Sequence, residues 1–190
     1  MTARTHDAIA FASLVTAATL YPPASLNLYT LFAAIIGNNI GALIPDIDQA
    51  SNRLWDLVPG GDRIDKVLSR LFYKHRTLTH SLLGLFLIFK SLEWLLPRLL
   101  NEAFVNVDLV FWSIIIGYAS HLVADAFTKE GLPLLFPLKI KIGLPPIKAF
   151  RLTTDSWVER LVVLPGVAIY LFWFINQNKA TLLALLHQIR

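Results

Sequence analysis

Imidazoles and carboxylates together form the donor set of a divalent-metal centre, and this chain carries them where they are costly to keep. His121-Leu122-Val123-Ala124-Asp125 closes an otherwise apolar run. The i, i+4 spacing sets both side chains on one helical face, and ionisable groups in an apolar segment are retained mainly for function. A His–Asp hydrogen bond serving packing alone is the plainer alternative. His75-Arg76-Thr77-Leu78-Thr79-His80-Ser81 is denser. Two histidines five apart on a regular helix diverge by roughly 140°, so either His75 precedes the helix or the two serve adjacent ions. Arg76 presents a planar fork suited to a phosphate or carboxylate, and Thr77 or Thr79 is placed to cap the helix. In Pro45-Asp46-Ile47-Asp48 the two carboxylates lie on a non-helical exit. If that exit is extended, residues two apart point the same way and both can face one cation. Taken alone, the pattern is more simply a solvated helix end.

Adding His6 and Glu159 gives a donor set larger than one ion needs. Neutral imidazole with carboxylate suits zinc first, with manganese or iron as alternatives, whereas magnesium prefers fewer histidines. Two ions bridged by a carboxylate, roughly 3.5–4 Å apart, fit the set better, and such pairs activate water for ester or phosphoester hydrolysis. The expected metal residues are His6, Asp46, Asp48, His75, His80, His121 and Asp125. Arg76 is expected to steady the developing anion, and Glu159 is the acidic residue left for general base work.

These groups must be positioned by something, and the composition says what. The chain has 190 residues, of which 55% are hydrophobic and 16% charged; soluble domains carry about 25% charged residues. The expected fold is therefore all-α, a polytopic membrane bundle in one domain. A span needs roughly 20 apolar residues at 1.5 Å each. About five segments qualify by eye: 8–21 (short, before Pro22-Pro23), 26–45, 78–96, 107–127 and 158–175. An amphipathic stretch at 64–72 suits an interfacial helix. The Pro- and Gly-rich stretch 130–157 reads as a loop or re-entrant piece on the membrane, and a short helix at 180–189 ends the chain. Asn38 and Asn39 are read as interhelical hydrogen-bonding groups, the five tryptophans as interface belts, and His187 as interfacial. The absence of cysteine removes thiolate metal sites and disulfides. A net charge of +4 is too small to argue for nucleic acid.

If five segments span, every candidate donor falls on the side of the membrane that holds the N-terminus. All Lys and Arg residues fall there too, apart from Lys90, Arg98, Lys179 and Arg190. The positive-inside rule makes that side cytoplasmic. Donors scattered over the chain thus converge on one face, which random placement at helix ends would not produce.

The motifs Thr5-His6, Pro45-Asp46-Ile47-Asp48, His75-Arg76-Thr77-Leu78-Thr79-His80-Ser81 and Gly117-Tyr118-Ala119-Ser120-His121 through Asp125, with Gly131-Leu132-Pro133-Leu134-Leu135-Phe136-Pro137 and Glu159, occur in this order across most of the chain. They resemble the bacterial YdjM-like family, described as LexA-regulated or "LexA-binding" inner-membrane metal-dependent hydrolases. The resemblance implies a membrane hydrolase whose site residues are His6, Asp46, Asp48, His75, His80, His121, Asp125 and Glu159. More distantly, the motif order is similar to zinc-dependent phospholipase C and P1-type nucleases, which points to phosphoester bonds. Gln49 departs from the family pattern, where histidine often follows the Asp pair. The expected function is a multi-pass inner-membrane hydrolase acting on an ester or phosphoester of a small-molecule or lipid-derived substrate at the cytoplasmic face. The rivals are a metal or proton transporter, which needs polar residues continuing across the bilayer, and a non-enzymatic scaffold in which the His/Asp set staples helices.

Overall fold

The computed structural model describes residues 1–47, 78–138 and 140–189, and these form helices joined by turns, with no strand among them. Helix α1 is Ala3–Leu20, so the first apolar segment begins five residues earlier than expected and takes in His6. It stops at Tyr21, ahead of Pro22-Pro23. Helix α2, Leu28–Leu43, starts under an Asn27 cap whose side chain accepts from the Thr30 N–H at 2.8 Å. It then tightens into a 3-10 turn, Ile44–Asp46, at Pro45. Helix α3 is Leu82–Leu99. Helix α4 is Val107–Ala126, capped by Asn106. After the loop comes a single π turn, Glu159–Val163, running into α5, Leu164–Gln177, and then a short α6, Lys179–His187.

Among the described residues, three stretches are long and apolar enough by length and composition to cross a membrane: Leu28–Asp46, Val107–Ala126 and Glu159–Gln177. Charge and polarity account for the other two expected segments. Helix α3 spends its length on Lys90, Glu93 and Arg98, and α1 carries Arg4, Thr5, His6 and Asp7 in its first turns. The outer surface still suits lipid. Leu161, Ile169 and Phe172 on the last span are 70%, 69% and 78% exposed, a cost in water but not among acyl chains. Trp94, Trp112, Trp157 and Trp173 also face outward. Trp55 and the amphipathic stretch at 64–72 lie outside the described residues.

The centre of the bundle is the α2–α4 pair, the most extensive helix contact in the molecule. It is close because glycine makes it so. A Cβ on Gly41 would lie 2.1 Å from the Ile114 carbonyl oxygen, and one on Gly117 would lie 2.1 Å from the Asn38 carbonyl oxygen. Small residues let membrane helices approach backbone to backbone. Asn38 completes the contact as the sequence suggests, its Nδ2 donating to the Ser113 carbonyl at 3.1 Å. At the other end, the Asn106 N–H donates to Thr30 Oγ1 at 2.9 Å. The two helices therefore run parallel, and their C-terminal ends arrive at the same level.

The stretch between α4 and α5 holds no α-helix, only the short 3-10 turn Lys148–Phe150 before the π turn, and Pro133 and Pro137 break its apolar run. Leu132 and Ile142 exchange backbone hydrogen bonds of 2.7 and 2.8 Å, and Leu152 accepts from Lys129 at 2.9 Å. Two further bonds pin it to helix ends, Leu144 N–H to Ala126 O at 2.7 Å and Leu82 N–H to Leu134 O at 3.0 Å. Leu132 packs with Tyr118, Leu122 and Ala126. The loop is thus a lid over one end of α4, the end that carries His121 and Asp125.

Candidate metal centre

Four elements deliver their chemistry to this end. His6 comes from the second turn of α1, Asp46 from the 3-10 turn after α2, His80 from the turn before α3, and His121 with Asp125 from the last turns of α4. Two local details differ from expectation. Asp46 sits in a 3-10 turn and not in an extended exit, because the helix tightens through Pro45 rather than unwinding there. The cap of α3 is Ser81, not Thr77 or Thr79: Ser81 Oγ accepts from the Gly84 N–H at 3.0 Å, and His80 is left in the preceding turn. That frees its ring from the helical register.

The side-chain atoms meet closely. His80 Nε2 lies 3.3 Å from Asp46 Oδ1 and 3.7 Å from Asp125 Oδ2. His121 Nε2 lies 3.8 Å from each of the same two oxygens. A tetrahedral ion with ligand bonds of about 2.0–2.1 Å separates its donors by about 3.3–3.4 Å. The four nitrogen–oxygen edges are at or just beyond that spacing. On the other side of Asp125, Oδ1 lies 3.2 Å from His6 Nε2 and 2.6 Å from the nitrogen of Met1. The His6 and His121 rings stack at 3.7 Å between centroids. Two triads can therefore hold an ion, His6/His121/Asp125 and Asp46/His80/His121.

Burial sharpens the case. His6, His80, His121 and Asp125 are each at most 2% exposed. Both ring nitrogens of His6, Nε2 of His121 and Oδ1 of Asp46 are buried with no hydrogen-bond partner among the described residues. A buried polar atom without a partner costs about 1–3 kcal/mol, and the Asp125 and Asp46 carboxylates, of which the Met1 ammonium offsets one, leave negative charge that a cation would match. The donor set fits a metal ion.

The supports are specific. His121 Nδ1 lies 2.7 Å from the Ala42 carbonyl oxygen. With the proton on Nδ1, donating to that carbonyl, Nε2 is the nitrogen presented to the cluster. One nitrogen can ligate one ion, so His121 cannot serve both triads at once. Tyr118, fully buried one turn earlier on the same face, donates to the Thr79 carbonyl and holds the turn bearing His80.

A family model described as the YdjM inner membrane protein matches residues 1–186. The chain belongs to the YdjM family. Over 181 residues it is 33% identical to YvsG of Bacillus subtilis (strain 168), covering 94% of this chain and 99% of that protein. It is 34% identical over 103 residues to the inner membrane protein YdjM of Escherichia coli (strain K12) and to that of Shigella flexneri. The latter matches take in 54% of this chain and 48% of theirs, so the chain spans about half the length of those two relatives. No solved structure matches. An inner-membrane family with three spanning-length apolar helices accords with the multi-pass reading.

Within this YdjM-family chain, the remaining expected site residues divide. Asp48, His75 and Arg76 lie outside the described residues. Glu159 is buried beside the cluster, but its carboxylate serves the backbone. Oε1 accepts from the Thr2 N–H at 2.6 Å and Oε2 from the Asp155 N–H at 2.7 Å. It ties the start of α1, and with it His6, to the last span. Glu159→Gln turns one acceptor into a donor facing an N–H, and is expected to cost about 1–3 kcal/mol. Thermal unfolding in detergent reads that loss, and a weaker metal affinity with all five described ligands intact would mark a positioning role. Ala42, Tyr118 and Thr2 were not singled out from sequence. Of the three only Tyr118 carries a signal, its spacing of three and seven residues before His121 and Asp125 on one helical face.

Proposed function

We propose that this chain is a membrane-bound metal-dependent hydrolase acting on an ester or phosphoester, with zinc as the first candidate ion and manganese or iron as alternatives. The observation that carries the reading is the approach of the His80 and His121 nitrogens to Asp46 and Asp125 oxygens at 3.3–3.8 Å, in triads that share His121. A divalent ion in such a site, when bound, acts as a Lewis acid on an ester or phosphoryl oxygen and acidifies water. The chain's own residues do the rest. Asp125 presents Oδ2 to the His80/His121 side, while its Oδ1 faces His6 and accepts from the Met1 ammonium. Because His121 gives a single nitrogen, it would serve one ion, and Asp48 and His75, which lie outside the described residues, remain the expected donors for a second. Arg76 keeps the part of steadying the anion.

The cytoplasmic side is favoured by the concentration of Lys and Arg at the cluster end of the sequence. A lipid-derived substrate is favoured by a centre placed at the ends of spanning helices, near headgroup depth. The transporter reading has little support: Lys90 and Glu93 pair with each other at 2.6 Å on the exposed outer face, and Asn38 is spent on the Ser113 carbonyl.

Elemental analysis of the detergent-purified full chain, followed by a panel of phosphomonoester, phosphodiester and lipid ester substrates, tests the proposal. About one or two equivalents of metal are expected per chain, with hydrolysis lost on chelation and restored by zinc. Protein that binds no metal and folds equally well with chelator would instead be a bundle stapled by His–Asp contacts.

A further inference from the structure

A groove of about 660 Å³ runs between α1 and α5 on the outer side of the bundle. Its α1 wall is built from Ala12, Ser13 and Thr16, and its α5 wall from Gly166 and Tyr170. The hydroxyls are already satisfied. Ser13 donates to the Ile9 carbonyl at 2.8 Å, Thr16 to the Ala12 carbonyl at 2.7 Å, and Thr16 and Tyr170 share a 2.8 Å bond. Nothing in the groove asks for water, and apolar cavities stay dry. Gly166 opens it further, since a Cβ there would meet no atom within 4 Å. Along α1 the lining runs from Ile9 to Leu20, about 16 Å at 1.5 Å per residue. That is close to half of a hydrocarbon core about 30 Å thick, the depth of one leaflet.

Towards the cluster end, the same two helices bound a second, polar hollow of about 830 Å³, lined by Arg4 and Arg160 together with Asp155 and Leu164. Arg4 is exposed and makes no ion pair among the described residues. Arg160 is exposed and held by Asp155 through Nε and Nη2, at 3.0 and 2.6 Å. With Arg160 facing Asp155 and Glu159, Arg4 is the exposed guanidinium left to meet an anion where the groove reaches headgroup level.

We propose that the α1–α5 groove binds an anionic phospholipid, its phosphate at Arg4 and Arg160 and one acyl chain between the helices. The charge at the mouth, the leaflet-length dry groove and the missing side chain at Gly166 all select a lipid over water. The site does not depend on the metal centre, and its test reads binding rather than turnover.

Native mass spectrometry of the full chain in detergent, titrated with dioleoylphosphatidylglycerol or dioleoylphosphatidylcholine, decides it. The wild type is expected to take one phosphatidylglycerol in preference to phosphatidylcholine by about fivefold, the weight of one cation against an anionic headgroup. Gly166→Phe, whose Cβ would meet no atom within 4 Å, sets a ring in the groove and is expected to abolish that adduct with helix content unchanged. Arg4→Gln, a surface change, is expected to erase the preference while leaving residual binding of both lipids. Equal adducts in Gly166→Phe, or no preference in the wild type, would overturn the proposal. So would a wild-type dimer that Gly166→Phe dissociates, since the groove would then be a helix–helix contact between copies.

Discussion

His121→Ala is expected to empty the cluster of metal and remove hydrolysis together. His121 is the residue common to both triads, its Nε2 reaching Asp46 and Asp125 while its other nitrogen is held at Ala42. Losing a group that merely orients a ligand costs 10–100-fold in metal affinity or activity, so losing the shared ligand should cost at least ~100-fold. The loss should also register as stability. A ligand that binds only the folded state stabilises it by about 4 kcal/mol at a thousand times its dissociation constant. Chelator should therefore lower the unfolding temperature of the wild type and leave that of His121→Ala unmoved. The measurements are metal stoichiometry after desalting and unfolding with and without chelator. A fully active, fully metallated variant would refute the assignment.

Gly117→Leu is expected to be the most damaging change outside the donor set. The Cβ alone would fall 2.1 Å from the Asn38 carbonyl oxygen, a backbone atom that cannot swing aside. Helix α2 must then separate from α4, and with it go the Asn38–Ser113 bond and the register that carries Asp46 to His121. Overpacking typically costs 1–3 kcal/mol and backbone collisions more, so the expected outcome is at least ~3 kcal/mol of lost stability with loss of bound metal. Gly166→Ala makes the opposite control. With open space at its Cβ it should gain up to about 1 kcal/mol from helix propensity alone. Thermal unfolding of the two variants side by side checks both signs, and a wild-type transition for Gly117→Leu would contradict the close α2–α4 approach.

The convergence of donors was legible in the sequence because helix alternation is arithmetic. An even number of crossings separates the start of the first apolar run from the end of the second and the end of the fourth, so all three return to one face. His6, Asp46, His80, His121 and Asp125 meet as that reasoning requires. The i, i+4 pair His121/Asp125 could be read from spacing alone. What could not be read was local and steric. The tightening of α2 at Pro45 and the choice of Ser81 over two nearby threonines depend on where the backbone is pinned by its neighbours, here Leu134 on Leu82. Three of the five expected segments form helices apolar enough to span by composition alone, and 78–96 falls short because Lys90, Glu93 and Arg98 fall within the helix that forms there. The part played by Glu159 was hidden for a different reason: its partners are backbone N–H groups, which leave no mark on residue types.

Every donor atom of the described cluster precedes residue 127, and the last span supplies none. During synthesis the full set of described ligands is thus translated before the Pro-rich loop and α5. Ion capture can accompany insertion of the nascent chain instead of waiting for its release. The later-made Glu159 then fastens Thr2 beside donors already in place, so a late segment works as a latch on the start of α1.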